Sequence, residues 1–183
     1  MSRPHDMRGF SLIELLIVLA LLAIAAGIAV PNFARMIDNN RIEAQAQTLN
    51  SLLQYTRSQA IVRRASVRLS KAEATSALPN PAWIVTNVSD GTVLRQEQLN
   101  PQHARVLSDA TPTDASKKVE VVFTSSGAST TPGNFVICQG DKLAFAHFIS
   151  VQASGNTRLM PRGKSDMSGT TPLDPSDWKG CEL

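Results

Sequence analysis

The chain has 183 residues, with 18 Lys and Arg against 15 Asp and Glu, a formal net charge of +3. So small an excess, spread over residues of both signs, does not mark a nucleic-acid binder, and the length allows one modest domain beside the apolar N-terminal run. Two cysteines, Cys138 and Cys181, and three scattered histidines, His5, His103 and His147, leave no Cys-x-x-Cys and no zinc spacing, so neither metal nor cofactor is expected.

The first element in chain order is that apolar run. From Leu15 to Val30 no side chain is charged, and Phe10 to Phe33, as a helix rising 1.5 Å per residue, cover about 36 Å against a hydrocarbon core of roughly 30 Å. Glu14 stands at its threshold, where an ionised carboxylate would cost on the order of 3 kcal/mol at mid-membrane and so needs compensation. A removable secretory signal is the rival reading, with Arg3 and Arg8 ahead of the run and Ala25, Ala26, Gly27 and Ala29 able to imitate a cleavage site. The helical pattern continues past those residues, so the run is expected to stay attached. Arg3 and Arg8 are balanced by Arg35 and Arg41, and charge therefore does not orient the span. A bridge between Cys138 and Cys181 would, by placing the C-terminal part in an oxidising compartment. Pro31 removes the donor that would reach the Gly27 carbonyl, and Gly27 weakens that turn by roughly 1 kcal/mol relative to alanine, so a kink or a melted turn is expected there.

Beyond Pro31 the pattern becomes amphipathic. Ile42, Ala46, Leu49, Leu53, Thr56 and Ala60 recur at three- and four-residue steps, with Arg41, Glu43, Gln47, Asn50, Gln54 and Arg57 between them, so the helix should run to about Val62 with one face covered. Short strands are predicted over Ser66–Ser70, Ala82–Val88, Thr92–Leu99, Ala104–Leu107, Lys118–Thr124, Asn134–Cys138, Leu143–Val151 and Thr157–Met160. Asp90-Gly91 and Gly140-Asp141 read as hairpin turns, and Thr111–Ser116 and Ser125–Gly133 as loops. An antiparallel sheet follows. The tail from Pro161 to Leu183 has no periodicity, yet Trp178 and Cys181 are residues that pack; a Cys138–Cys181 bridge would tie it to a central strand, two buried thiols being the alternative.

The order Gly9-Phe10-Ser11-Leu12-Ile13-Glu14, followed by an apolar helix with Pro31, resembles the class III signal of type IV pilins and type II secretion pseudopilins. The resemblance implies that a prepilin peptidase cuts after Gly9 and methylates the amine of Phe10. Glu14, fifth from Phe10, then lies in the first turns, where the positive end of the helix dipole favours an anion. In a fibre its carboxylate is expected to pair with the Phe10 amine of a neighbouring subunit. The head is similar to H-type pseudopilins and the related T- and U-type minor pilins, through Val121-Val122-Phe123 followed by Gly127, Phe135-Val136-Ile137-Cys138, and Phe148-Ile149-Ser150-Val151 leading into Gly155.

What this implies is a pilin-like α+β fold, a long helix packed on an antiparallel head. Residues 1–9 are a leader, 10–33 the transmembrane and filament-core helix, 34–64 the amphipathic helix, and 65–183 a β-rich periplasmic head with its tail. The implied subunit spans the inner membrane once, then enters a fibre with other minor and major pilins, at or near the tip, priming assembly. The alternatives are an H-type minor pseudopilin of a type II secretion system and a DNA-binding minor pilin. Some T-type relatives bind DNA through Gly-Arg-x-Arg; here Gly155-Asn156-Thr157-Arg158 lacks the first arginine. Arg158, Arg162 and Lys164 are the candidate contacts, but with Lys179 they are offset by Asp166, Asp174, Asp177 and Glu182, so DNA is not favoured. A second basic zone holds Arg57, Arg63, Arg64, Arg68 and Lys71. No Gly-x-Ser-x-Gly elbow, His-Glu-x-x-His helix or phosphate loop supports an enzyme, and His147, inside an apolar strand, reads as structural.

Overall fold

The computed structural model describes residues 11–72, 81–98, 104–109, 119–139, 143–174, 178 and 181. It divides into a first unit ending at Asp38 and a second, Asn39–Leu183. Helix α1 is Leu12–Arg63, and Pro31 lies inside it. The turn at Gly27 to Pro31 is helical and not melted, which leaves a bend as the effect to expect of the missing Pro31 donor.

In the second unit every residue of the expected buried stripe is covered: Ile42, Ala46, Leu49, Leu53, Thr56 and Ala60, together with Leu52. The Thr56 hydroxyl donates to the Leu52 carbonyl at 2.6 Å, so its burial strands no polar group. At the end of the helix Arg64 N–H bonds Ile61 O and Ala65 N–H bonds Ala60 O, both at 3.2 Å. This is the pair of bonds of a Schellman cap, with Arg64 in the left-handed position (φ 51°) where glycine is the usual residue. Arg64→Gly is therefore expected to stabilise the second unit by about 0.5 to 1 kcal/mol, read as a higher urea midpoint.

Eight strands follow: β1 Val67–Ala72, β2 Ala82–Asn87, β3 Val93–Gln98, β4 Arg105–Ser108, β5 Glu120–Phe123, β6 Gly133–Cys138, β7 His147–Val151 and β8 Thr157–Leu159. They form two antiparallel sheets in the orders β3-β2-β1-β5 and β4-β6-β7-β8, where the sequence alone suggested one. Alternation within a strand tells which face is buried but not which strand is the neighbour, so the division into two sheets was not readable from the pattern. The expected strand over Leu143–Val151 also divides, into a 3₁₀ turn (Leu143–Phe145) and β7. The Ala146 N–H closes that turn on the Leu143 carbonyl at 3.0 Å, and Leu143 is tucked into the core, which an apolar run read as strand does not reveal.

The β2–β3 hairpin forms with Gly91 at φ 71°, and the Asp90 carboxylate accepts the Thr92 N–H at 2.9 Å. That bond, the largest cause, holds the Asp90 carboxyl below its usual range. The expected turns and loops at Gly140-Asp141 and Thr111–Ser116 lie outside the described residues.

Two apolar clusters fill the second unit. The larger joins the covered helix face to Val67, Leu69, Trp83, Val85, Val121 and Phe123 of the first sheet and Phe135, Ile137, Ile149 and Val151 of the second. The smaller lies on the other side of the second sheet: Val136, Cys138 and Phe148 meet Met160, Leu173, Trp178 and Cys181 of the tail. Cys138 and Cys181 are disulfide-bonded, and Phe148 meets Trp178 edge to face at 6.0 Å.

The loop from β5 to β6 carries the chain between the sheets, and Arg57 of α1 holds it. Its Nε donates to Gly127 O at 3.0 Å and its Nη2 to Ser154 O at 3.3 Å, while Ser129 N–H bonds Ala153 O at 2.9 Å. Gly155 has φ 77°, and a Cβ there would stand 1.7 Å from the Gly127 carbonyl oxygen. Gly155→Ala combines a disfavoured backbone with a backbone clash and should cost about 3 kcal/mol, measured by urea unfolding.

Candidate functional site: the exposed apolar helix and its first-turn carboxylate

Among its described residues the first unit has no core of its own. Every described residue from Ser11 to Ile37 is exposed, including Leu12, Ile13, Leu16, Leu21, Ile28 and Phe33. Water-exposed apolar surface this continuous is rare on proteins that remain single in solution, and it marks a surface for lipid or for other subunits. By length and composition α1 is able to cross a membrane. Glu14 is the acidic residue of its first turn. The Ser11 carbonyl accepts the first helical bond, from Leu15 N–H at 3.2 Å, which makes Ser11 the residue at the helix cap. Ser11-Leu12-Ile13-Glu14 therefore has the order of a capping box, which offers a local reason for an acid at this position. Gly9 and Phe10 lie outside the described residues.

Three arginines of the basic zone at the end of α1 and on β1 have partners among the described residues. Arg57 is bound to backbone carbonyls, Arg63 Nε donates to Gln59 Oε1 at 3.0 Å, and Arg68 lies 3.5 Å from Glu120. Of the three candidate contacts, Arg158 is exposed on β8 opposite Ser150, Lys164 forms an isolated bridge with Pro172 through its backbone, and Arg162 makes a 3.1 Å ion pair with Glu43 of α1. Next to them Asp166 collects the hydroxyls of Ser168, Thr170 and Thr171 and the N–H groups of Thr170 and Thr171. These donors, the Thr170 hydroxyl first, hold its carboxyl well below the usual range, so this carboxylate closes the loop on which it sits. Among the described residues no cluster of three or more His, Cys, Asp or Glu is arranged to hold a metal ion.

Residues 45–171 match the family described as Type II transport protein GspH. The chain belongs to that family. Residues 5–30 separately match the prokaryotic N-terminal methylation motif, which covers Gly9, Phe10 and Glu14 and bears out the resemblance of the N-terminal signal. The GspH family is one of structural pilin-type subunits and not of enzymes, and membership implies association with other such subunits in a fibre. Two crystal forms of FimU, a type IV minor pilin of Pseudomonas aeruginosa, share the fold at 22% identity. One covers 67% of this chain and 94% of that one with a TM-score of 0.52, the other 68% and 92% with 0.54. EpsH, a minor pseudopilin of the type II secretion system of Vibrio cholerae, is 16% identical, covers 69% of this chain and 99% of its own, and has a TM-score of 0.50. At such identities the likeness speaks for the fold. No curated protein matches the chain. For a GspH-family chain, the exposed apolar helix together with the methylation motif points to membrane anchoring followed by fibre assembly.

Proposed function

We propose that this chain is a minor pilin, built into a type IV pilus at or near the tip, where it primes assembly with other minor and major pilins. The observation that carries the reading is the uncovered apolar helix, Ser11 to Ile37, with a carboxylate in its first turn. In this reading a prepilin peptidase cuts after Gly9 and methylates Phe10. The subunit waits in the inner membrane as a single-pass protein, and the head lies in the periplasm, as its disulfide supports. On entry into the fibre the helix exchanges lipid for neighbouring helices, and Glu14 takes the Phe10 amine of another subunit. A bend at Gly27 and Pro31, expected from the missing Pro31 donor, would give the helix a place to adjust to its neighbours.

The preference for a pilus over a type II secretion pseudopilus rests on the likeness of the amphipathic helix, Asn39 to Val62, to minor pilins. Deleting the gene and restoring it separates the two: loss of surface fibres and twitching with normal protein secretion supports the pilus, and loss of secretion with intact fibres overturns it. Intact mass of the membrane protein, expected to begin at methylated Phe10, tests the processing step. DNA capture by the tail is the weaker reading, because Arg162 is engaged by Glu43.

A further inference from the structure

His147 opens β7 and is 6% exposed, with neither ring nitrogen hydrogen-bonded. A buried polar group without a partner costs free energy, and one kept in this state asks for a reason. Alternation along β7 puts His147 on the side of Ile149 and Val151, which face the helix, while Ala146 and Phe148 face the tail. Its cross-strand partner on β6 is Ile137. The segment that follows β8 is laid along the same place: Met160 N–H bonds Phe148 O and Gly163 N–H bonds Ala146 O, both at 2.8 Å, so the two bonds bracket His147. From this segment Arg162 reaches Glu43 on α1.

We propose that His147 is the proton-sensitive seat of a latch between α1 and the C-terminal segment: a proton taken up from water draws Glu43 from Arg162 to the imidazolium, and residues 160–163 are released from β7. Among the described residues the charges acting on His147 are Arg162, from the segment, and Glu43, from α1; its cross-strand partner on β6, Ile137, is uncharged. Burial first, and then Arg162, lower the pKa of His147 from its ordinary 6.5, and Glu43 opposes them. With the folded value below the unfolded one, the latch contributes its full stability above pH 6.5 and loses it as the pH falls toward the folded value. Among the described residues Glu43 is the acid that acts on both cations, so protonation of His147 sets the imidazolium against Arg162 for that carboxylate.

The test uses the full chain in detergent micelles, with the His147 ring followed by NMR and the Gly163 and Met160 amides by hydrogen exchange expressed as protection factors. The His147 midpoint is expected to rise in Arg162→Gln and to fall in Glu43→Gln. Protection at Gly163 and Met160 should drop at least tenfold below the wild-type midpoint while the amides of β1 hold, and should not change with pH in His147→Phe. In Glu43→Gln it should be low at both ends of the range. A midpoint that neither variant moves, a Gly163 protection independent of pH in the wild type, or the same drop in His147→Phe would overturn the proposal.

Discussion

Subunits carrying Glu14→Ala and subunits carrying Glu14→Gln are both expected to accumulate in the membrane as the wild type does and to fail to enter fibres. The two substitutions separate two physical roles. Glu14 lies three residues after Ser11 in the order of a capping box, so a local role at the start of the helix is the alternative to pairing across subunits. Glutamine serves in a capping box as glutamate does, but it carries no charge to neutralise a neighbour's amine. If the role is pairing across subunits, leaving that amine alone in an apolar bundle costs roughly 3 to 5 kcal/mol, about two to nearly four orders of magnitude in incorporation. The measurement is the ratio of tagged subunit in sheared fibres to that in membranes. Normal incorporation of Glu14→Gln would reduce Glu14 to a helix cap and remove the pairing from the proposed function.

The second large effect is expected from the disulfide. Cys138 and Cys181 are 43 residues apart, and on the loop-entropy account a bridge closing such a loop contributes about 4 kcal/mol. The smaller apolar cluster depends on this bridge, since its tail residues Leu173, Trp178 and Cys181 belong to no strand. The larger cluster is built from α1 and both sheets and contains neither cysteine, so it is expected to hold without the bridge. Reduction, or the double variant Cys138→Ser with Cys181→Ser, should therefore act unequally. The two tryptophans report the difference, because Trp83 is in the larger cluster and Trp178 in the smaller. In variants keeping one tryptophan, urea unfolding of the reduced protein should move Trp178 to a much lower midpoint and Trp83 by less, whereas in the oxidised protein the two transitions should coincide. Coincident transitions after reduction would mean that the tail and the sheets are one cooperative unit.

The sequence alone carried the N-terminal signal, the change at Pro31 from an all-round apolar to a one-sided helix, and the buried stripe from Ile42 to Ala60, each of which depends on neighbours within a turn or two. For the same reason the expected strands lie within two residues of those observed wherever they are described, except where Leu143–Phe145 turns instead. That Cys138 and Cys181 would meet was legible only as one of two alternatives, because two thiols in a chain do not declare their distance.

What the tertiary structure decided are matters of which distant parts lie side by side. The separation into two sheets, Arg57 holding the loops that end at Gly127 and Ser154, and Arg162 reaching Glu43 beside His147 join residues 70, 97 and 119 positions apart. Periodicity reports which side of an element is covered and carries no information about what covers it. An arginine that read as a candidate contact for phosphate is thus, in the folded chain, the partner of a helix carboxylate, and a histidine that read as a core residue feels the charges of both.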